Sequence, residues 1–157
     1  MALEQELGLK KGFGILEHEA ILNVYYTASQ IKKKADEFFR EFGLTDVQFN
    51  VMMLLAHQSS PEGGLSQAQL SDMMLVNRAN ITSLIDRMEK AGLVVRTASP
   101  GDRRYNIVKL TSRGRKLFAR LDPFYVKEVK GIMSVFNQAE QKELMAMLEK
   151  IRSKLSQ

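Results

Sequence analysis

Apolar positions along the chain follow two rhythms, and the change between them locates the elements. Leu16, Ile21, Val24, Ala28, Ile31, Ala35, Phe38 and Phe42 recur mostly at steps of three and four, the repeat of one helix face, and predict a long amphipathic helix stopping near Gly43. Thr45-Asp-Val-Gln48 has capping-box spacing, in which each end residue satisfies a backbone N–H of the other, so a second helix should run from about Asp46 to His57. Residues 58–64, rich in Ser, Pro and Gly, read as a loop. Ser66-Gln-Ala-Gln69 repeats the box and opens a short helix ending near Met74. Asn77 is then the N-cap of a helix starting at Arg78, which carries Ile81, Leu84, Ile85 and Met88 on one face and stops at Gly92. Two helices joined by so short a turn make a helix-turn-helix.

After Gly92 the period shortens. Leu93–Thr97 and Tyr105–Leu110 are β-favouring runs joined by a Pro- and Gly-containing turn over 98–104, which predicts a hairpin, or wing, directly after the helix-turn-helix. Thr111 can cap a long helix with apolar positions Leu117, Leu121, Phe124, Val129, Ile132 and Phe136. Pro123 should either kink it or mark its restart. Asn137-Gln-Ala-Glu140 is a further capping box, followed by the stripe Leu144, Leu148, Ile151 and Leu155. The fold class is therefore mainly α with a small β-hairpin wing: a winged helix-turn-helix over 44–111, flanked by helical segments over 1–43 and 112–157. The flanking stripes have few neighbours in one chain. Either they pair with a second copy as a dimerisation region, or they close a monomeric bundle around the wing.

Composition narrows the class. The 157 residues include no Cys and two His, so disulfides, thiolate metal sites and thiol redox sensing are excluded and neither a metal nor a cofactor is expected. No apolar run approaches the ~20 residues a bilayer helix needs, and the N-terminus lacks the order of a secretory signal, so a cytoplasmic protein with no membrane partner is expected. The net charge is +5, but residues 77–120 hold 11 Lys or Arg against 3 acids, which leaves the remainder of the chain acidic. One basic segment coinciding with a winged helix points to double-stranded DNA.

Chemistry assigns roles within that segment. A second helix laid in the major groove would present Arg78, Ala79, Asn80, Thr82, Ser83 and Arg87 to base edges, since Arg suits guanine, Asn suits adenine and small apolar groups suit the thymine methyl. Arg103 and Arg104, at the hairpin tip beside Asp102, could enter the minor groove, with Asp102 either orienting an Arg or holding the turn. Ser66, Asn77, Arg96, Lys109 and Arg113 are phosphate candidates.

These residues carry a resemblance. Asp102-Arg-Arg-Tyr-Asn-Ile-Val-Lys-Leu-Thr111 with Gly114, preceded by NITSLIDRMEKAGLVVR, LSQAQLSDMM and GLTDVQFNVMMLL, resembles the MarR (multiple antibiotic resistance regulator) family of bacterial winged-helix transcription factors. The match runs from about Ile15 to the C-terminus. The resemblance implies a homodimer made by the first and last helices, a recognition helix over 77–91, a wing Arg, here Arg104, in the minor groove, and release of DNA by an anionic or phenolic small molecule or an oxidant. Without Cys the oxidant route is closed. An effector pocket between the dimer helices and the winged helix could draw on Tyr25, Tyr26, Met52, Met53 and His57, although each also fits an ordinary core position.

The leading expectation is a sequence-specific regulator, a repressor on a pseudo-palindromic operator. The alternative is a winged-helix adaptor that binds protein without reading DNA. An enzyme is not expected, because the chain has no P-loop, no dinucleotide fingerprint, no Gly-x-Ser-x-Gly elbow and no Cys nucleophile.

Overall fold

Three helices begin where a side chain and the backbone three residues on cap each other. Thr45 Oγ1 accepts from Gln48 N at 3.2 Å while Gln48 Oε1 accepts from Thr45 N at 3.0 Å. Ser66 and Gln69 repeat the exchange at 3.1 and 2.9 Å, and Asn137 and Glu140 at 3.1 and 2.7 Å. Each box satisfies two N–H groups that a bare helix start would leave unpaired. The computed structural model describes residues 2–59, 63–74, 80–99 and 102–156, with the backbone alone at 99 and 102–105.

A short helix α1 (Leu3–Glu6) precedes α2 (Leu16–Arg40), α3 (Asp46–His57), strand β1 (Leu65–Ser66), α4 (Gln67–Met73), α5 (Ile81–Lys90), β2 (Val94–Ser99), β3 (Asp102–Leu110), α6 (Ser112–Met133) and α7 (Gln138–Leu155). The strands form an antiparallel sheet in the order β1-β3-β2. The core lies under this sheet: Val51 and Met52 of α3, Leu70 of α4, Ile85 and Met88 of α5, Val94, Val108 and Leu121 are fully buried. Complete burial of side chains this size is worth about 1.5–3 kcal/mol each. An aromatic stack ties the long helices to it, with Phe49 centred 4.6 Å from Phe39 and from Tyr125, and 5.7 Å from Phe118.

Two glycines hold the junction between α5, the wing and α6. Gly92 takes φ +72° just past α5, a left-handed conformation that glycine adopts without a Cβ penalty. Gly114 is buried against the Leu93 carbonyl, and a Cβ there would collide with that oxygen. The Thr111 hydroxyl accepts from Gly114 N at 3.0 Å and donates to Gly92 O at 2.6 Å, so the Thr-x-x-Gly pattern pins the start of α6 to the end of α5.

Four points add to or narrow the expectations. A third strand, β1, joins the hairpin; its two residues, Leu65 and Ser66, pair with Val108 and Ile107 and are too few to show any alternation. The hairpin is longer than its β-favouring runs: Ala98 pairs with Asn106 and Ser99 with Asp102, and Arg103, Arg104 and Tyr105 fall in the irregularity between those two pairs. Cross-strand pairing carries Ala98, Ser99 and Asp102 into β structure although their propensities favour a turn. The described part of α5 begins at Ile81 with Asn80 in the N-cap position, while the expected start at Asn77 and Arg78 lies outside the described residues. Finally, α6 does not restart at Pro123 but passes through it. The ring forfeits one backbone bond, and the flanking Leu121, fully buried, and Tyr125, stacked on Phe39 and tilted against Phe49, anchor the helix on both sides of it.

Candidate nucleic-acid interface

Helix α5 is divided lengthwise by chemistry. Leu84, Ile85 and Met88 are buried, whereas Asn80, Ser83 and Arg87, at steps of three and four, form one exposed ridge. Thr82 and Asp86 form a second exposed row, turned toward β2. The expected base readers Asn80, Thr82, Ser83 and Arg87 are therefore all accessible, but on two rows. Arg78, Ala79 and the phosphate candidate Asn77 lie outside the described residues. Asp102, Arg103 and Arg104 open β3 at the distal end of the hairpin, where the backbone places them at the wing's extremity.

Arg96 corrects a sequence expectation. It was a phosphate candidate, but its side chain is only 18% exposed and its guanidinium is engaged within the protein. Nη1 donates to Glu89 Oε2 at 2.7 Å, Nη2 to Asp86 Oδ1 at 2.6 Å, and Nε to Gln67 Oε1 at 2.9 Å. The Arg96 backbone N–H donates to Glu89 Oε1 at 2.9 Å. That backbone bond, reinforced by the guanidinium, holds the Glu89 carboxyl below the ordinary carboxylate range. Arg96 thus joins β2, α4 and α5. Two acids on a basic surface become intelligible: Asp86 and Glu89 neutralise an inward-facing Arg rather than oppose DNA.

Ser66 is also corrected. The N–H groups at the start of its helix made it a phosphate candidate, but its own N–H donates to Gln69 Oε1 at 2.9 Å and its buried hydroxyl accepts from Gln69 N at 3.1 Å, so both take part in the capping box. Arg113 is exposed on the first turn of α6, and Lys109 is half-buried on β3. Among the described residues the exposed cations beside the helix-turn-helix are supplied by α5 and by the start of α6, where Arg113, Arg115 and Lys116 follow the wing.

A cavity of about 650 Å³ opens between α2, α3 and α6. Of the expected lining only Met53 contributes. Met52, one residue away, turns through about 100° into the core and is fully buried. His57 packs edge-on against Phe118 with ring centres 5.6 Å apart, and Tyr25 is 77% exposed on α2, with half-buried Tyr26 beside it also off the cavity. The walls are instead Ala28, Ile31, Ala35, Phe38 and Phe39 of α2, Asn50 and Met53 of α3, and Tyr125, Val129 and Ile132 of α6. Sequence reasoning missed Asn50 and Tyr125. Spacing could have found Asn50, which stands one turn before Met53 on the same face; Tyr125 carries no such signal, because only the packing of α6 across α3 brings it in. Asn50 Oδ1 is buried without a hydrogen-bond partner among the described residues. At the rim Lys32 is claimed by Asp36 at 2.6 Å and by Asp46 at 3.2 Å. The bond to Asp36, opposed by burial and aided by Asp46, raises its pKa.

Comparison with known proteins converges on one family. The MarR family model matches residues 42–104, the helix-turn-helix and most of the wing. The HTH-type transcriptional regulator FarR of Neisseria gonorrhoeae is 33% identical over 116 residues, covering 72% of this chain and 77% of its own. The fold is shared with Staphylococcus aureus MepR, solved as a DNA complex (TM-score 0.73, 24% identity, 85% of this chain and 96% of that one). It is also shared with the organohalide-sensing regulator RdhR, solved with 2,4-dichlorophenol bound (TM-score 0.77, 20% identity, 90% and 82%). A winged helix with an exposed polar ridge on α5, a basic flank and these relatives together establish that the chain belongs to the MarR family of HTH-type, DNA-binding transcriptional regulators.

Proposed function

We propose that the protein is a dimeric repressor that reads an inverted-repeat operator and leaves it when a small aromatic compound fills the α2–α3–α6 cavity. The observation that carries this reading is the exposed ridge Asn80–Ser83–Arg87, which places an amide, a hydroxyl and a guanidinium on one line of a helix with a basic wing beside it. Asn and Arg suit adenine and guanine edges. Arg104 at the end of the wing is assigned to the minor groove, and Arg113 and Lys109 to phosphates.

The segments 1–43 and 112–157 form the dimerisation region in this reading. Support comes from α7, on which no residue is buried, and from exposed Leu16, Ile21 and Val24 of α2 and Phe124, Val129 and Ile132 of α6. Two-fold pairing of these stripes would set two α5 helices about one DNA turn apart.

The cavity favours the phenolic end of the effector class. Its walls are mainly apolar and aromatic, Asn50 Oδ1 is a buried acceptor suited to a donor such as a phenol O–H, and both lysines of the lining face carboxylates, Lys32 those of Asp36 and Asp46 and Lys34 that of Glu128. RdhR, which shares the fold, was solved with a phenol bound. The relatives are regulators and no described helix is long and apolar enough to cross a membrane, which supports a non-enzymatic role in the cytoplasm.

Selection of duplexes from a random pool at about 150 mM salt, where phosphate-only binding is weak, tests the reading. Recovery of an inverted repeat with half-sites about 34–36 Å apart is expected. Recovery of no sequence would overturn it in favour of a protein-binding adaptor.

A further inference from the structure

The helix-turn-helix contains a chain of hydrogen bonds whose direction is dictated by donor chemistry. Arg96 can only donate. Its Nε lies 2.9 Å from Gln67 Oε1, so the carboxamide oxygen of Gln67 must face the guanidinium. The amide nitrogen Nε2 is thereby turned to Thr82 Oγ1, also at 2.9 Å. Thr82 Oγ1 accepts in this bond, and its single proton is left for an acceptor other than Gln67. Arg96 is itself held by Asp86 and Glu89, and its Nη2 reaches the Thr82 carbonyl at 3.4 Å. The chain thus runs from the base of the wing, through the first residue of α4, to an exposed hydroxyl in the first turn of α5.

We propose that Gln67, oriented by Arg96, is a positioning residue that keeps the Thr82 hydroxyl proton free for a hydrogen-bond acceptor on DNA. The proposal rests on the reading above that α5 lies on DNA. A hydroxyl held in this way donates to an acceptor, such as purine N7, guanine O6, thymine O4 or a phosphate oxygen, and meets the amino groups of adenine and cytosine with one remaining lone pair only. An unconstrained threonine offers both lone pairs.

The test reverses the polarity without breaking the chain. In Gln67→Glu the side chain still accepts from Arg96 but can only accept from Thr82, so the hydroxyl must turn inward and donate to it. Dissociation constants of the full-length protein are measured on the selected operator at about 150 mM salt for the wild type, Q67E, T82V, T82S and the doubles Q67E/T82V and Q67E/T82S. Unfolding midpoint and oligomer mass are recorded for each. Q67E is expected to weaken binding about tenfold in the wild-type and T82S backgrounds but only about threefold in the T82V background, the remainder reporting the added charge near a polyanion. Gln67→Met, which removes the donor without adding charge, should show the same dependence on background and serves if Q67E does not fold. Coupling confined to one operator position assigns the acceptor to a base, and equal coupling on all sequences assigns it to a phosphate. An equal factor in all three backgrounds overturns the proposal while leaving DNA reading intact. A wild type that selects no sequence overturns the reading on which it rests.

Discussion

The winged helix and the terminal helices dispose of their apolar residues in opposite ways. In the first, side chains from α3, α4, α5 and the sheet bury one another completely, and the Arg96 guanidinium is matched by two carboxylates and an amide oxygen. In the second, Phe39 is the one buried residue of α2, and α7 buries none while exposing Met145, Met147 and Leu155. The difference is what the proposed dimer requires: a winged helix complete in one chain and terminal helices that pair with a second. A reading head must keep its shape as it meets DNA, and a self-sufficient core supplies that. An apolar helical face this extensive is stable in water when another copy covers it.

The strongest way to break the contrast is to charge the incomplete side. Leu148→Glu combined with Leu155→Glu should convert the dimer to monomer in sedimentation and lower affinity for the full operator by about 100-fold, since one half-site is then bound without the effective concentration of the other. Helical content should persist. If the pair leaves the dimer intact, α7 is not in the interface.

Next in size, Arg104→Ala should weaken operator binding about 10- to 100-fold by loss of the wing contact, with dimer mass unchanged. An unchanged dissociation constant would remove the wing from the interface.

The complete side is sharpened by Gly114→Ala, which drives a methyl into the Leu93 carbonyl and should cost about 1–3 kcal/mol in denaturant unfolding, felt as a loosened wing. Smallest is the Glu89 carboxylate. Its folded pKa is depressed, so its contribution is complete above the ordinary carboxylate range and is lost as pH falls through the lower folded value. Glu89→Gln should flatten that part of the acid-stability curve and leave stability at neutral pH within about 1 kcal/mol, as expected for an ion pair partly open to water.

Local order was legible because short-range chemistry writes it directly. The Thr45, Ser66 and Asn137 boxes fall where their spacing placed them, and the expected second helix, Asp46 to His57, has those bounds. Exposure of Asn80, Ser83 and Arg87 followed from the stripe opposite Leu84, Ile85 and Met88. The cavity was another matter. Tyr25, Tyr26, Met52 and His57 suit a pocket by residue type but do not line this one; the stripe Ala28–Ile31–Ala35–Phe38, already read as one face of a helix, forms one wall of it.

The sequence alone determined the capped helix starts, the order of the main helices and the hairpin, the basic segment and the family resemblance, because capping, periodicity and charge act over a few residues and leave marks at fixed spacing. Tertiary structure decided what each polar side chain faces. Whether Arg96 meets a phosphate or a pair of carboxylates depends on β2 lying beside α5, and whether Asn50 and Tyr125 share a cavity depends on α6 crossing α3. Those outcomes are fixed by packing between segments distant in the chain, where burial and matched hydrogen bonds outweigh the preferences of any single residue.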